Sequence, residues 1–508
     1  MTKATNELHR LTRGAGVLLP ISALPSNYGI GTFGKESFEF VDFLERIGCR
    51  YWQVLPIGPT SFGDSPYQSF SAFAGNPYFI DLDLLIEEGL IEKEEIEAFD
   101  WFDSEDKVDY GLIYSSRMKA LKYAFNRSKH RDIVEYQDFC DKNEYWLEDY
   151  SFYMSAKTYF GSNEWLLWED DIKNREPVAM AKYRDLLKKE IEFWSFVQFK
   201  FSEQWNSLKA YTNSKGISII GDIPLYVAMD SSDVWAHPEM FELDERKNPI
   251  HVAGVPPDAF SDDGQRWGNP LYLWDVMEQD GFTWWRERMK TSSKLYDVIR
   301  IDHFIGIVNY YSIPVDCPTA VEGKWKMGPG KMLTDVIMNA IGEAKIIAED
   351  LGVLTPNVVE LIEETGFPGM KVLEFGLNGT IDNPYLIHNY KDSNIVAYTG
   401  THDNETLVGY LGNVKTEEMN FILKYFNSKA VENLPGSIIR ALYACNADVV
   451  IIQMQDILKL DNYARINHPA TTGSNWRWRL LKSQYNLIDE KSLYEWSYIY
   501  GRIKITQS

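Results

Sequence analysis

"VIRIDHF" (residues 298–304) reads as a short strand whose end carries chemistry. Val298, Ile299 and Ile301 give it the β-branched composition of a strand buried on both faces. Arg300 stands inside the run, and Asp302 and His303 close it. A buried guanidinium is costly unless a carboxylate pairs with it. The run therefore predicts an acid beside Arg300, either Asp302 or another carboxylate brought near by the fold. A single stretch of this kind carries little weight, and its neighbours decide.

Seven further runs follow the same plan of apolar strand, polar close and helical pattern. They are "GVLLPISAL" (16–24), "RYWQVLPI" (50–57), "GISIIGDIPLYV" (216–227), "AKIIAEDLG" (344–352), "MKVLEFG" (370–376), "NIVAYTGTHDN" (394–404) and "ADVVIIQMQD" (447–456). Eight strands alternating with helices predict an α/β fold, a (β/α)8 TIM barrel. Residues 1–84 begin the barrel. Residues 85–210 read as a mainly α-helical insertion after the second strand; Ile191, Trp194, Val197, Phe201, Trp205 and Leu208 recur there on one helix face. Residues 211–508 complete the barrel, with a loop-rich insertion at 228–290 that holds "GVPPDAFSDDGQRWGNP" (254–270). About 50 residues follow the eighth strand, too few for a large C-terminal β-domain.

Composition removes several classes of function. The formal net charge of −23 and the absence of a Lys/Arg cluster speak against a nucleic-acid partner. No apolar stretch approaches the roughly 18–20 residues of a membrane span, and no signal-peptide core opens the chain. Cys49, Cys140, Cys317 and Cys445 lie far apart without metal-binding spacing. A cytoplasmic protein without metal or cofactor is the expectation. The 14% aromatic content suits sugar-ring stacking but suits a core equally well.

In a (β/α)8 barrel the active site lies at the C-terminal strand ends. Those ends here carry Asp222, Asp302 with His303, Glu349 with Asp350, and His402 with Asp403. Each carboxylate alone reads more simply as a helix N-cap, Asp350 above all, and each histidine as a hydrogen-bonded structural residue. Their convergence on one rim is what such roles do not explain. Metal-assisted hydrolysis is one chemistry open to this set, although no HxH or HExxH spacing occurs. Glycosyl transfer is the other. It needs a carboxylate nucleophile and a second carboxylic acid to protonate the leaving oxygen, with an arginine to keep the nucleophile ionised. The aromatic loops favour the second.

"RIDHF", "IIAEDLG" and "YTGTHDNET" resemble, in order and spacing, the catalytic blocks of α-amylase-type barrels. "GVPPDAFSDDGQRWGNP", "GDSPYQSFSAFAGNPYFIDL" and "GDIPLYV" resemble the version found in amylomaltases, the 4-α-glucanotransferases also called disproportionating enzymes. The resemblance runs from residue 14 to about 480. It implies Asp302 as nucleophile, Glu349 as general acid/base and Asp403 as the carboxylate stabilising the transition state. It implies substrate contacts from Ser65 and Tyr67 of "SPYQ", from Asp222, Arg300, His303 and His402, and from Asn467. Asp258, Phe260, Gln265 and Trp267 would belong to a loop covering the bound glucan. The implied substrates are maltooligosaccharides and longer α-1,4-glucans, with glucose as an acceptor, in a retaining double displacement. A hydrolase of the same barrel type and an inactive glucan-binding protein are the rival readings. Two positions depart from the family's pattern. Ala470 in "RINHPATTGSNWRWR" (465–479) stands where glycine is expected, and Phe62 where relatives can carry a tyrosine tied to a secondary glucan site.

Overall fold

The computed structural model describes residues 9–61, 63–257 and 261–503. Its centre is a parallel sheet of β1 (Gly14–Leu18), β2 (Tyr51–Gln53), β3 (Ser218–Ile223), β4 (Val298–Ile301), β5 (Lys345–Ala348), β6 (Gly369–Val372), β7 (Ile395–Tyr398) and β8 (Val449–Gln453). Each of the eight apolar runs supplies one strand. They pair in sequence order from β6 through β8 and β1 to β5, and the amide of Ala348 donates to the Pro368 carbonyl at 3.0 Å across the remaining seam. The result is a near-closed (β/α)8 barrel. Strand alternation divides its side chains. Val298, Ile220, Ile347, Met370, Val396 and Ile451 fill the interior, while Ile299, Ile301, Ile219, Ile346 and Val450 pack outward against helices.

Between β2 and β3 the chain is mostly helical, with long helices at Tyr110–Arg127, Val134–Tyr159 and Lys188–Ser214. The last buries Trp194, Val197, Phe201, Trp205 and Leu208 of the face its periodicity predicts, and leaves Ile191 half-buried. Two glutamines on it secure the loop that follows β2. Gln198 exchanges two hydrogen bonds with the backbone of Gly75, at 2.7 and 2.9 Å. Gln204 does the same with Asp81, at 2.6 and 3.1 Å. A side chain at Gly75 would meet the Phe201 ring at 2.2 Å, so only glycine lets the loop lie this close to the helix.

The insertion at 228–290 differs from the loop-rich expectation. His251–Val255 and Gln265–Pro270 form an antiparallel sheet with Asn309–Pro314 and Lys324–Met327, which follow β4. Its small core is Val252, Tyr311, Ile313 and Ala320. Gln265 and Trp267 therefore stand on a strand, not on a free loop. Among the described residues no helix is long and apolar enough to cross a membrane.

Candidate active site

Arg300 shares the inward face of β4 with Val298, and its neighbour across the pairing with β3 is Asp222. Arg300 Nη1 donates to both Asp222 oxygens, at 2.6 and 2.8 Å, and stands 3.0 Å from Asp302 Oδ1. The acid demanded by the buried cation is thus mainly Asp222, with Asp302 second. Burial works against the charge on Arg300, but Asp222 and Asp302 outweigh it and hold the guanidinium well above its ordinary pKa. Asp222 has no exposed surface. Its second partner is the Tyr67 hydroxyl, which donates to Oδ2 at 2.9 Å.

Asp302 follows β4 directly, and its side chain is 29% exposed, open to whatever enters the barrel mouth. Glu349 follows β5 directly and is nearly buried. The amides of His303 and Leu351 donate to its two oxygens, at 2.7 and 2.9 Å. Burial nevertheless pushes the Glu349 carboxyl up to about 8, with the Asp302 charge adding to the rise and Arg300 opposing it. His303 donates its amide to Glu349 from a left-handed backbone, φ 54°. That conformation is uncommon outside glycine and concentrates at functional sites. Burial lowers the imidazole of His303 to about 4, so it is neutral at physiological pH.

The third group sits on the turn after β7. His402 Nε2 lies 3.2 Å from Asp403 Oδ2, and Asn467 Nδ2 donates to Asp403 Oδ1 at 2.6 Å. Burial would raise Asp403, but His402 and the Asn467 hydrogen bond overcome it and keep the carboxyl well below the usual range. The ring of Tyr67 stacks on His402, 5.2 Å between centroids at 17°. Ser65 Oγ accepts from the Tyr67 amide at 3.3 Å and shapes the turn that presents the ring. On the other side Trp267 meets His303 edge-on at 4.9 Å, and its indole N–H donates to Gln265 Oε1 at 3.2 Å.

The structure thus gathers Tyr67, Asp222, Arg300, Asp302, His303, Glu349, His402, Asp403, Asn467, Trp267 and Gln265 at one barrel mouth. Asp258 and Phe260 lie outside the described residues, as does Phe62. Asp350 is not the helix cap suggested by its place in sequence. Its Oδ1 accepts from the Met370 amide at 2.7 Å and ties β5 to β6, and a side chain at Gly369 would sit 2.5 Å from Oδ2. Sequence reasoning missed Trp476 and Arg465. The Trp476 ring lies 5.8 Å from Tyr67 and 5.9 Å from His402, and Arg465 Nη2 donates to the Asp403 carbonyl at 2.6 Å. Both lie in the 465–479 stretch that also supplied Asn467. Among the described residues no group of three or more His, Cys, Asp or Glu is arranged to hold a metal ion.

Comparison with known proteins identifies the family. The family model for 4-alpha-glucanotransferases, glycoside hydrolase family 77, matches residues 19–484. A 4-alpha-glucanotransferase of Clostridium butyricum is 47% identical over 484 residues, covering 95% of this chain and 99% of its own length. That of Thermus thermophilus is 44% identical, covering 93% and 96%. The amylomaltase of Streptococcus agalactiae in complex with acarbose superposes with a TM-score of 0.93 at 42% identity, covering 97% of this chain and all of that one. A barrel mouth with this set of acids, matched along almost the whole sequence, places the chain in the 4-alpha-glucanotransferase family.

Proposed function

We propose that this enzyme moves α-1,4-glucan segments from one maltooligosaccharide to the 4-hydroxyl of another, or to glucose, through a covalent glucosyl-enzyme. The observation that carries the reading is the contrast between two neighbouring carboxyls. Asp302 is open to the cleft beside Arg300, whereas Glu349 is buried and raised to about 8. Retaining glycosyl transfer divides nucleophile from acid in this way.

In the first step Asp302 attacks the anomeric carbon and forms an ester bond. The glycosidic bond breaks, and its oxygen takes the Glu349 proton and departs as a 4-hydroxyl. In the second step Glu349, now ionised, accepts the proton of an incoming 4-hydroxyl. That oxygen bonds to the anomeric carbon and releases Asp302. Asp403 and His402 hydrogen-bond the sugar hydroxyls where positive charge develops on the ring. Tyr67 supplies an aromatic face, and His303 and Asn467 add polar contacts. Asp222 has no exposed surface, so its contribution reaches the sugar through Arg300 and Tyr67. Trp267 and Gln265 wall the mouth beside His303 and favour a sugar acceptor over water.

Incubation with maltotriose tests the reading. Transfer yields glucose and a ladder of longer maltooligosaccharides while total reducing ends stay nearly constant. A steady rise in reducing ends identifies a hydrolase instead, and unchanged maltotriose identifies a glucan-binding protein.

A further inference from the structure

The turn that carries His402 and Asp403 rests on an acid that the reaction does not use. Glu374 follows β6, a strand whose end contributes none of the reacting groups proposed above. Its side chain is buried, and among the described residues Oε1 has no hydrogen-bond partner. A side chain at Gly400 would come within 3.0 Å of that oxygen and 2.9 Å of Gln453 Nε2, so the turn lies directly on both groups. The Glu374 amide donates to the Thr399 carbonyl at 3.3 Å, and the Asn404 side chain lies against the carboxyl. Asn404 Oδ1 in turn accepts from the amide and the hydroxyl of Thr401, both at 2.9 Å, which folds the residues around His402 and Asp403 into a tight turn.

We propose that Glu374 is a positioning residue, whose carboxyl supports Gly400 and Asn404 from below and so fixes where the turn presents His402 and Asp403. The proposal rests on the roles assigned above to those two residues. The charged and titratable groups facing Glu374 are Asp456 and Glu405, with Arg465 opposing them, and Tyr410 on the next helix. Burial, then Asp456 and Glu405, push the Glu374 carboxyl well above the usual carboxylate range. An ionised Glu374 would compete for Arg465, which is engaged with the carbonyls of Asp403 and Asn467 at 2.6 and 2.7 Å. A neutral group of the same shape should therefore serve as well, and a shorter one should not.

Glu374→Gln, Glu374→Asp and Glu374→Ala are compared with the parent enzyme in maltotriose disproportionation. Glu374→Gln should keep kcat within about threefold. Glu374→Asp and Glu374→Ala should lose kcat by about tenfold or more, with KM changed less than about threefold, because contacts to the developing charge tighten only in the transition state. Near-parental kcat in Glu374→Asp or Glu374→Ala overturns the proposal, as does a loss in Glu374→Gln equal to that of Glu374→Ala. Should Glu374→Ala fail to fold, the Gln and Asp variants decide. A parent enzyme inert on maltotriose would instead remove the transfer reading itself, and this inference with it.

Discussion

At the scale of single residues, the site works by giving similar carboxyls different surroundings. Asp403 is held well below the usual range once His402 and Asn467 outweigh its burial, whereas Glu349 is raised to about 8 by burial. Below about 8 the free enzyme keeps the proton that Glu349 must donate, and above it that proton is gone. The folded value also exceeds the usual 4.5, so the folded state retains a proton that the unfolded chain has released, and stability contributed by this group falls as pH rises between the two values. We expect kcat/KM on maltotriose to decline above about pH 8 with the slope of one ionisation, and Glu349→Gln to lose about 10²–10⁴-fold in kcat. A profile flat to pH 10 would show that another group is the acid.

At the scale of elements, the barrel strands were legible because both their faces are buried, which leaves a short, nearly unbroken apolar run. The helix at Lys188–Ser214 was legible through its period. The second sheet was not. Lys324–Met327 alternates Lys with Trp and Met but is only four residues long and mostly exposed, and "QRWGNP" shows no alternation, so neither carries the signal that burial writes into a strand. For the same reason Asp222 was readable as a strand-end acid but not as the buried partner of Arg300, since depth and pairing belong to the closed barrel. Trp267 was expected near the strand-end acids, and its ring does lie 4.9 Å from His303, although its strand was not legible. One departure from the family pattern acquires a physical meaning here. Ala470 adopts φ 61°, the left-handed region that favours the glycine expected there. A left-handed L-residue costs about 1–2 kcal/mol, more for a β-branched one, while glycine gives back about 0.4–1 kcal/mol through the unfolded chain. Thermal midpoints should therefore rank Ala470→Gly above the parent and the parent above Ala470→Val. A midpoint for Ala470→Val at or above the parent would mean that the turn relaxes freely.

At the scale of the whole molecule, chemistry and stability occupy opposite ends of the barrel. The rim holds charges that burial strains, and the far end holds a clasp. Arg502 is fully buried there. It donates to Tyr443 O at 2.6 Å, to Gly14 O and Ala447 O at 3.1 Å, to Asp448 O at 3.2 Å and to Cys445 O at 3.0 Å. Gly14 opens β1, Asp448 directly precedes β8, and the helix Leu434–Ala444 ends among these carbonyls. With Arg13 sharing Cys445 O and Ala447 O, this guanidinium satisfies free C-terminal carbonyls of a helix, complements its dipole and joins the first strand to the last. Burial lowers its pKa only to about 10, which leaves it charged at neutral pH. Nothing in a lone arginine far from the strand-end acids announces this role in sequence. Arg502→Met should strand the buried carbonyls of Tyr443 and Gly14 at about 1–3 kcal/mol each, while Arg13 still reaches Cys445 O and Ala447 O and the Gly14 amide still reaches Asp448 O. A loss of about 2–6 kcal/mol is expected, seen as a lower thermal midpoint and faster inactivation. Arg502→Lys, with fewer and unplanar donors, should fall between. Because the reacting groups stand at the other rim, kcat/KM at 25 °C should stay within about twofold for the protein that remains folded. A normal midpoint in Arg502→Met would refute the clasp, and a normal midpoint with lost activity would mean that the two ends of the barrel are coupled.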